Sequence, residues 1–499
     1  HQHSPDDCDD LEHTPLMLPS RPAIRTSCAA LWTTINDTSR NQKWIVGGRL
    51  TLRDPPPNIG PQYQENTGMA EIQPFRGVLY NTQRVKADNV LTQPYDKITP
   101  EMREQYLKLS PYNLVRIELG KEESGDSESN NKYTRARDSY QAWLRDGLLR
   151  RAAKPALYYL EQVFDAPDGS GRRTRKALIA RVRLHRWDEG VILPHEHTLS
   201  KPKADRMSLL RACGSQQGQI FMLYPHPERD PLPAPGGPPA LTATDDYGVA
   251  NKLWEITDPA TIQAAQMSLR EMKFYIADGH HRYETALAFR DECRAAAATP
   301  DPNASHEFVM ATLVDMSDPG LVVLPTHRTV ANLDSFDRQR FRKQLAGSFS
   351  IEPQRTLEKL LVAMKGGKHF MGMRDADEFA LLKPNNLDAL RPLFAKKPPL
   401  WHTLDVAILH VGILEALLGI DEVRLREEAN VVYWRDPKEA AELVHAGKVQ
   451  LAFFLNPTHV EEVKAIADAR SRMPQKSTDF YPKLLSGIVI NDLRPDGVA

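Results

Sequence analysis

From residue 69 onward, short runs that alternate apolar and polar positions are interleaved with stretches whose apolar residues recur three and four apart, the texture of a chain that mixes strands and helices. Val115-Arg116-Ile117-Glu118-Leu119 alternates with a period of two and predicts a strand. The Ser-, Asp- and Asn-rich stretch 120–131 predicts a loop, and 133–149 predicts a helix from the spacing of Tyr140, Trp143, Leu144 and Leu148. Runs 156–164 and 176–184 predict an antiparallel hairpin, because Asp165-Ala166-Pro167-Asp168-Gly169-Ser170-Gly171 between them is turn chemistry throughout. Seven prolines and two glycines in 225–239 cannot continue a helix or a central strand, so an exposed loop is expected there. A helix over 260–272 then leads into the short apolar strand Lys273-Phe274-Tyr275-Ile276-Ala277, and 308–315 and 321–324 predict two more strands.

At 499 residues the chain is too long for one ordinary core. Near residue 331 the texture turns to charged helices and shorter strands. The expected division is therefore a first domain over 69–330 and a second, smaller α+β domain over 331–499, in a chain of α+β (mixed α/β) class. Residues 1–68 hold no sustained period and read as a disordered or non-native leader, with Met69 as the start. A transit peptide fits poorly, since Asp6, Asp7, Asp9, Asp10 and Glu12 make the opening acidic.

Charge narrows the possible partners. The 64 basic residues nearly balance the 65 acidic ones, which argues against a nucleic-acid coat or an acidic-membrane binder. The four cysteines lack the spacing of zinc or redox motifs, and no run approaches the roughly eighteen apolar residues of a membrane span. The expectation is a cytoplasmic protein without nucleic-acid or membrane partners. Its oligomeric state is not legible.

The densest chemistry lies in Tyr275-Ile276-Ala277-Asp278-Gly279-His280-His281-Arg282-Tyr283-Glu284-Thr285-Ala286, which runs from strand through Asp-Gly into a helix former. Asp278 is expected to cap the helix and Gly279 to admit a close backbone approach. Unpaired amides and the dipole at the first turn suit a phosphate, and Gly279, His280, His281, Arg282 and Glu284 are the expected cofactor-binding set. The competing reading is a plain Asp-Gly turn with solvated histidines; three bases at a helix start, unfavourable without an anion, weigh against it. A second segment, Pro194-His195-Glu196-His197, sets a carboxylate between imidazoles, so Glu196, His195 and Asp278 are the candidate catalytic groups, with an exposed ion pair as the alternative. No third ligand follows, and no metal site is expected. Leu324-Pro325-Thr326-His327-Arg328 repeats the proline and histidine chemistry, and His327 and Arg328 are expected to wall the same pocket. Lys476, Ser477 and Thr478 read first as a structured terminal loop.

These segments, in this order, resemble the bacterial and archaeal family called domain of unknown function 1015. The resemblance covers residue 71 to about 490 and rests on Phe75-Arg76-Gly77, Pro94-Tyr95-Asp96, Ser110-Pro111-Tyr112-Asn113, Leu193-Pro194-His195-Glu196, Lys203-Ala204-Asp205-Arg206, Asp278-Gly279-His280-His281-Arg282, Leu324-Pro325-Thr326-His327-Arg328 and Met473-Pro474-Gln475-Lys476-Ser477-Thr478. The family usually has Arg where this chain has His197 and a second proline where it has Gln93, so His197 is given no essential charge. The 278–284 turn is also distantly similar to the Gly-x-His-Arg phosphate-binding turn of the ParB/sulfiredoxin superfamily, which implies a nucleotide-binding first domain with His281 and Arg282 on phosphate. His280 stands where sulfiredoxin has its cysteine, which argues against sulfinic-acid repair. The function this likeness implies is a small-molecule kinase using ATP or ADP with Mg²⁺, free serine being the first acceptor to consider. The alternatives are a nucleotide-operated binding module without phosphoryl transfer and, behind it, a metal-assisted hydrolase.

Overall fold

Two long strands, Leu157–Asp165 and Arg172–Arg183, form the spine of a computed structural model that describes residues 68–494 other than 199, 229, 234 and 428. They pair antiparallel, with Leu160 opposite Ala177 and Asp165 opposite Arg172, as the turn between them suggests. The leader expected over 1–68 lies outside the described residues except for Gly68. Seven further strands complete a nine-stranded mixed sheet. Its order is Ile192–Leu193, Phe274–Asp278, Ile220–Tyr224, Phe308–Asp315, Arg172–Arg183, Leu157–Asp165, Ala250–Ile256, Leu241–Thr244, with Ile72–Gln73 also joined to Arg172–Arg183. Two pairings are parallel, Phe274–Asp278 with Ile192–Leu193 and Phe308–Asp315 with Ile220–Tyr224.

The central strands are apolar at successive positions because both faces are covered. Along Ile220–Tyr224 every residue is buried; Phe221 and Leu223 enter one apolar cluster, and Ile220, Met222 and Tyr224 the other. Helix His280–Ala296 covers the second face with Tyr283 and Ala286, and helix Lys132–Arg145 covers the first with Ala136, Tyr140 and Trp143. The latter starts at Asn131, whose side chain accepts from the amides of Tyr133 and Thr134. No helix among the described residues is long and apolar enough to cross a membrane.

A second sheet has six antiparallel strands in the order Phe349–Gln354, Phe379–Pro384, Met371–Arg374, Leu451–Phe454, His327–Val330, Val431–Trp434. Helices Leu357–Met364 and Pro437–His445 pack on one face through Leu360, Met364, Ala440 and Val444. The chain then returns to the first half: Asp479–Tyr481 pairs with Val322–Leu324, Asn491–Asp492 with Ser215–Gln216, and Ser486 and Ile490 bridge to Thr92 and Val78. This returning strap brings C-terminal side chains beside the end of strand Phe274–Asp278.

One predicted element changes type. Val115–Glu118 is a helical turn, not a strand. Asn113 Oδ1 accepts from the Val115 amide at 3.0 Å while its Nδ2 donates to the Asn89 carbonyl at 2.9 Å, and that local capture bends the chain before any strand can pair.

Candidate functional site

At the strand-to-helix junction Gly279 takes φ of 94°, and the Arg282 guanidinium lies 3.1–3.2 Å from where a Cβ would sit. Glycine is therefore required by the left-handed backbone and further favoured by the close approach. Contrary to the expectation from sequence, Asp278 does not cap the helix: Gly279 is the N-cap, without a side-chain bond. The Asp278 carboxylate turns the other way, to Lys483 Nζ at 3.3 Å, with Arg282 Nη2 at 3.9 Å. Burial opposes its ionisation, but Lys483, Arg282 and Lys97 outweigh it and hold the carboxyl well below the usual range.

The three bases of this turn are not three free cations. His280 is buried, its Nε2 accepts the His195 amide at 3.3 Å, and burial drives its basicity far down. Burial also lowers His281. Arg282 donates from Nη1 to the Gln219 carbonyl at 2.6 Å and lies close enough to the buried Glu118 to favour its charged form. Arg206 Nη1 approaches the same carboxylate at 3.4 Å and stacks 4.1 Å over the Tyr95 ring. Segments 94–96, 203–206 and 278–282 thus converge on one buried ion cluster that fixes the turn from behind.

His195 is fully buried, and burial lowers it to about 4, so it is neutral near pH 7. Its Nδ1 lies 2.7 Å from the Ile276 carbonyl, an acceptor, which places the ring proton there. Nε2 must then accept, and the Thr478 hydroxyl donates to it at 2.9 Å. Glu196 Oε1 is 3.9 Å from the same Nε2, and Oε2 is 3.9 Å from His280 Nδ1. Dense surroundings desolvate Glu196 although 27% of its side chain stays open to solvent. Burial, reinforced by Asp278 and opposed by Lys476, Lys483 and Lys97, raises its carboxyl to about 7. Glu284 does not join it: Thr198 Oγ1 at 2.5 Å and Lys203 Nζ at 2.8 Å hold that carboxylate elsewhere, pinning helix His280–Ala296 to helix Ser200–Cys213.

A cleft of about 470 Å³ opens beside this group. Four cations line it, Lys97, Arg435, Lys476 and Lys483, against one carboxylate, Asp479. Asp479 organises them, meeting Arg435 Nε at 2.7 Å, Lys483 Nζ at 3.0 Å and Lys97 Nζ at 3.9 Å. Burial works against its charge, yet Lys483, Lys97 and Arg435 hold its carboxyl at about 2. The strap is braced by its own carbonyls: Thr458 Oγ1 donates to Ser477 at 2.7 Å and Arg328 Nη2 to Lys476 at 2.9 Å. Lys476 itself takes φ of 55°, a left-handed conformation that costs energy and is kept by that bracing. Lys476 and Thr478 both line the cleft.

The structure thus brings Glu196, His195 and Asp278 together with cleft residues, whereas none of 279–282 lines the cleft. His327 and Arg328 are buried inside the second sheet and do not wall it; Thr326, just before them, does. Sequence reading missed Lys97, Arg435, Asp479 and Lys483. A usable signal was Asp479-x-x-x-Lys483 following Lys476-Ser477-Thr478, five chemistry-bearing residues within one proline-bounded stretch.

Residues 72–407 match the family described as "Protein of unknown function (DUF1015)". None of the curated proteins matches the chain. Among solved structures it is similar to a conserved hypothetical protein from Pyrococcus furiosus, at 12% identity and a TM-score of 0.30, over 61% of this chain and 90% of that one. It is also similar to a free serine kinase in complex with AMP, at 12% identity and a TM-score of 0.31, over 62% and 92%. SbnI from Staphylococcus aureus, with a C-terminal truncation, gives 11% identity and a TM-score of 0.31 over 62% and 85%.

Proposed function

The chain belongs to the DUF1015 family, and on that footing we propose that it is a nucleotide-dependent phosphotransferase acting on a small hydroxyl-bearing metabolite. The observation that carries this reading is Glu196, a carboxyl raised to about 7 and flanked by cations that line an open cleft. A general base works best when its pKa lies near the operating pH, and a transferring phosphoryl group needs positive charge around its oxygens. Lys97, Lys476, Lys483 and Arg435 supply that charge. The phosphates are therefore assigned to them, and the 279–282 turn supports the site from behind through Asp278 and Lys483.

In the proposed step, Glu196 takes the acceptor's hydroxyl proton, the oxygen attacks the terminal phosphorus of ATP or ADP, and the phosphoanhydride bond breaks to release the shortened nucleotide. Mg²⁺ would enter on the phosphates: among the described residues no three His, Cys, Asp or Glu side chains are grouped to hold an ion, and Mg²⁺ commonly relies on phosphates and water. Free serine is the first acceptor to assay, solely because the sequence of the 278–284 turn resembles that of the ParB/sulfiredoxin superfamily; that sequence likeness is also the sole support for such a first domain, and it does not extend to placing phosphate on the turn.

The test is to incubate the protein with Mg-ATP or Mg-ADP and a panel of hydroxy-amino acids, and to follow transfer of the phosphoryl group. Transfer is expected, with Glu196→Gln slowing it by about 10²–10⁴ while nucleotide still raises the melting temperature. Nucleotide-induced stabilisation without transfer to any acceptor would leave a binding module instead. Undiminished transfer by Glu196→Gln would remove Glu196 as the base.

A further inference from the structure

Besides the cations, the cleft is lined by aromatic and apolar side chains. Tyr247 is 53% exposed and Val432 48%, two of the few large apolar side chains that the described residues leave in solvent, and both line the cleft. Val432 lies on Val431–Trp434, the edge strand of the second sheet, whose backbone pairs on one side only. Trp434 shares the face of Val432, two positions on. Its indole N–H is tied to Thr329 Oγ1 at 2.8 Å, which fixes the ring. Tyr247 stands on a turn braced by Asp245, whose Oδ1 accepts from the amides of Tyr247 and Val249 at 2.9 Å each and whose Oδ2 accepts from Gln93 Nε2 at 3.1 Å. The aromatic rim is thus built on fixed backbone.

Exposed aromatic surface costs solvation unless a ligand covers it, and here it is continuous with a cationic floor. The complementary ligand has a flat ring at one end and a polyanion at the other. We infer that Tyr247, Val432 and Trp434 form a shelf for the base of a nucleotide whose phosphates run down to Lys97, Lys476 and Lys483. This rests on the proposed function and deepens it by locating the base. Stacking on an aromatic face is tolerant of which base is present, so the shelf sets nucleotide over bare polyphosphate more than purine over pyrimidine. The cleft's volume of about 470 Å³ falls within the range of sites for small molecules.

Calorimetric titrations with ADP and with inorganic pyrophosphate separate the two ends. Tyr247→Ala is expected to weaken ADP about tenfold, the loss of one stacking contact, and to leave pyrophosphate unchanged, while Tyr247→Phe retains wild-type affinity for both. Because Tyr247 is exposed, the substitution does not open the core. If the wild type binds ADP and Tyr247→Ala binds it equally well, or loses ADP and pyrophosphate in equal measure, the shelf is wrong. If the wild type binds neither compound, the proposed function falls with it.

Discussion

The turn at 279–282 and the strap at 476–483 meet at Asp278, yet they handle charge in opposite ways. The turn carries His280, His281 and Arg282 in succession, but two of these are imidazoles made less basic by burial, and the third is committed to the Gln219 carbonyl and the Glu118 cluster. The strap carries its charges dispersed, and it delivers Lys476 and Lys483 to the cleft. A run of basic letters does not make a cationic site. What matters is whether burial leaves the charge in place and whether the group lines open space, as Lys476 and Lys483 do and none of 279–282 does.

The largest effect that sharpens this contrast is in pH dependence. With Glu196 raised to about 7 and required as a base, phosphoryl transfer should climb with pH and level off above about 7, leaving roughly a hundredfold deficit at pH 5. A flat profile between pH 5 and 8 would break the assignment. Next comes stability on the strap side. Lys483 is buried between Asp278 and Asp479, and Lys483→Met should cost about 3–5 kcal/mol in denaturant unfolding, because two carboxylates lose their shared partner. A loss below about 1 kcal/mol would mean that the ion network is slack.

A smaller effect has a defined sign. Glu196 is held above its unfolded value, so the folded state binds the extra proton; the associated stability is complete below about pH 4.5 and is lost as pH rises through about 7. Glu196→Gln should therefore be more stable than the wild type at pH 8 by about 1–2 kcal/mol, discounted for partial exposure, and nearly equal at about pH 4. Equal stability at both values would contradict the raised carboxyl.

Much of the first sheet was legible because its signals are local. The 165–171 turn set the hairpin, and apolar runs at 274–277 and 308–315 marked central strands. Glu196, His195 and Asp278 were legible as chemistry because each sits at a strand end. The period of two over 115–119 misled because an Asn113 side chain, outside the window, captured the backbone first. Lys97, Arg435 and Lys483 were not legible as a group: they come from three distant segments, and nothing in the composition of 473–492 announces that it crosses back to the first sheet. The capping role given to Asp278 failed because a buried lysine two hundred residues away in sequence outweighed a local cap.

The most direct test compares ADP affinity by titration calorimetry in Lys476→Ala and His281→Ala. If the strap holds the phosphates, Lys476→Ala should weaken ADP at least tenfold and His281→Ala should change it less than about threefold. The reverse order, with His281→Ala crippling and Lys476→Ala silent, would return the phosphates to the helix turn and contradict the assignment of the cleft.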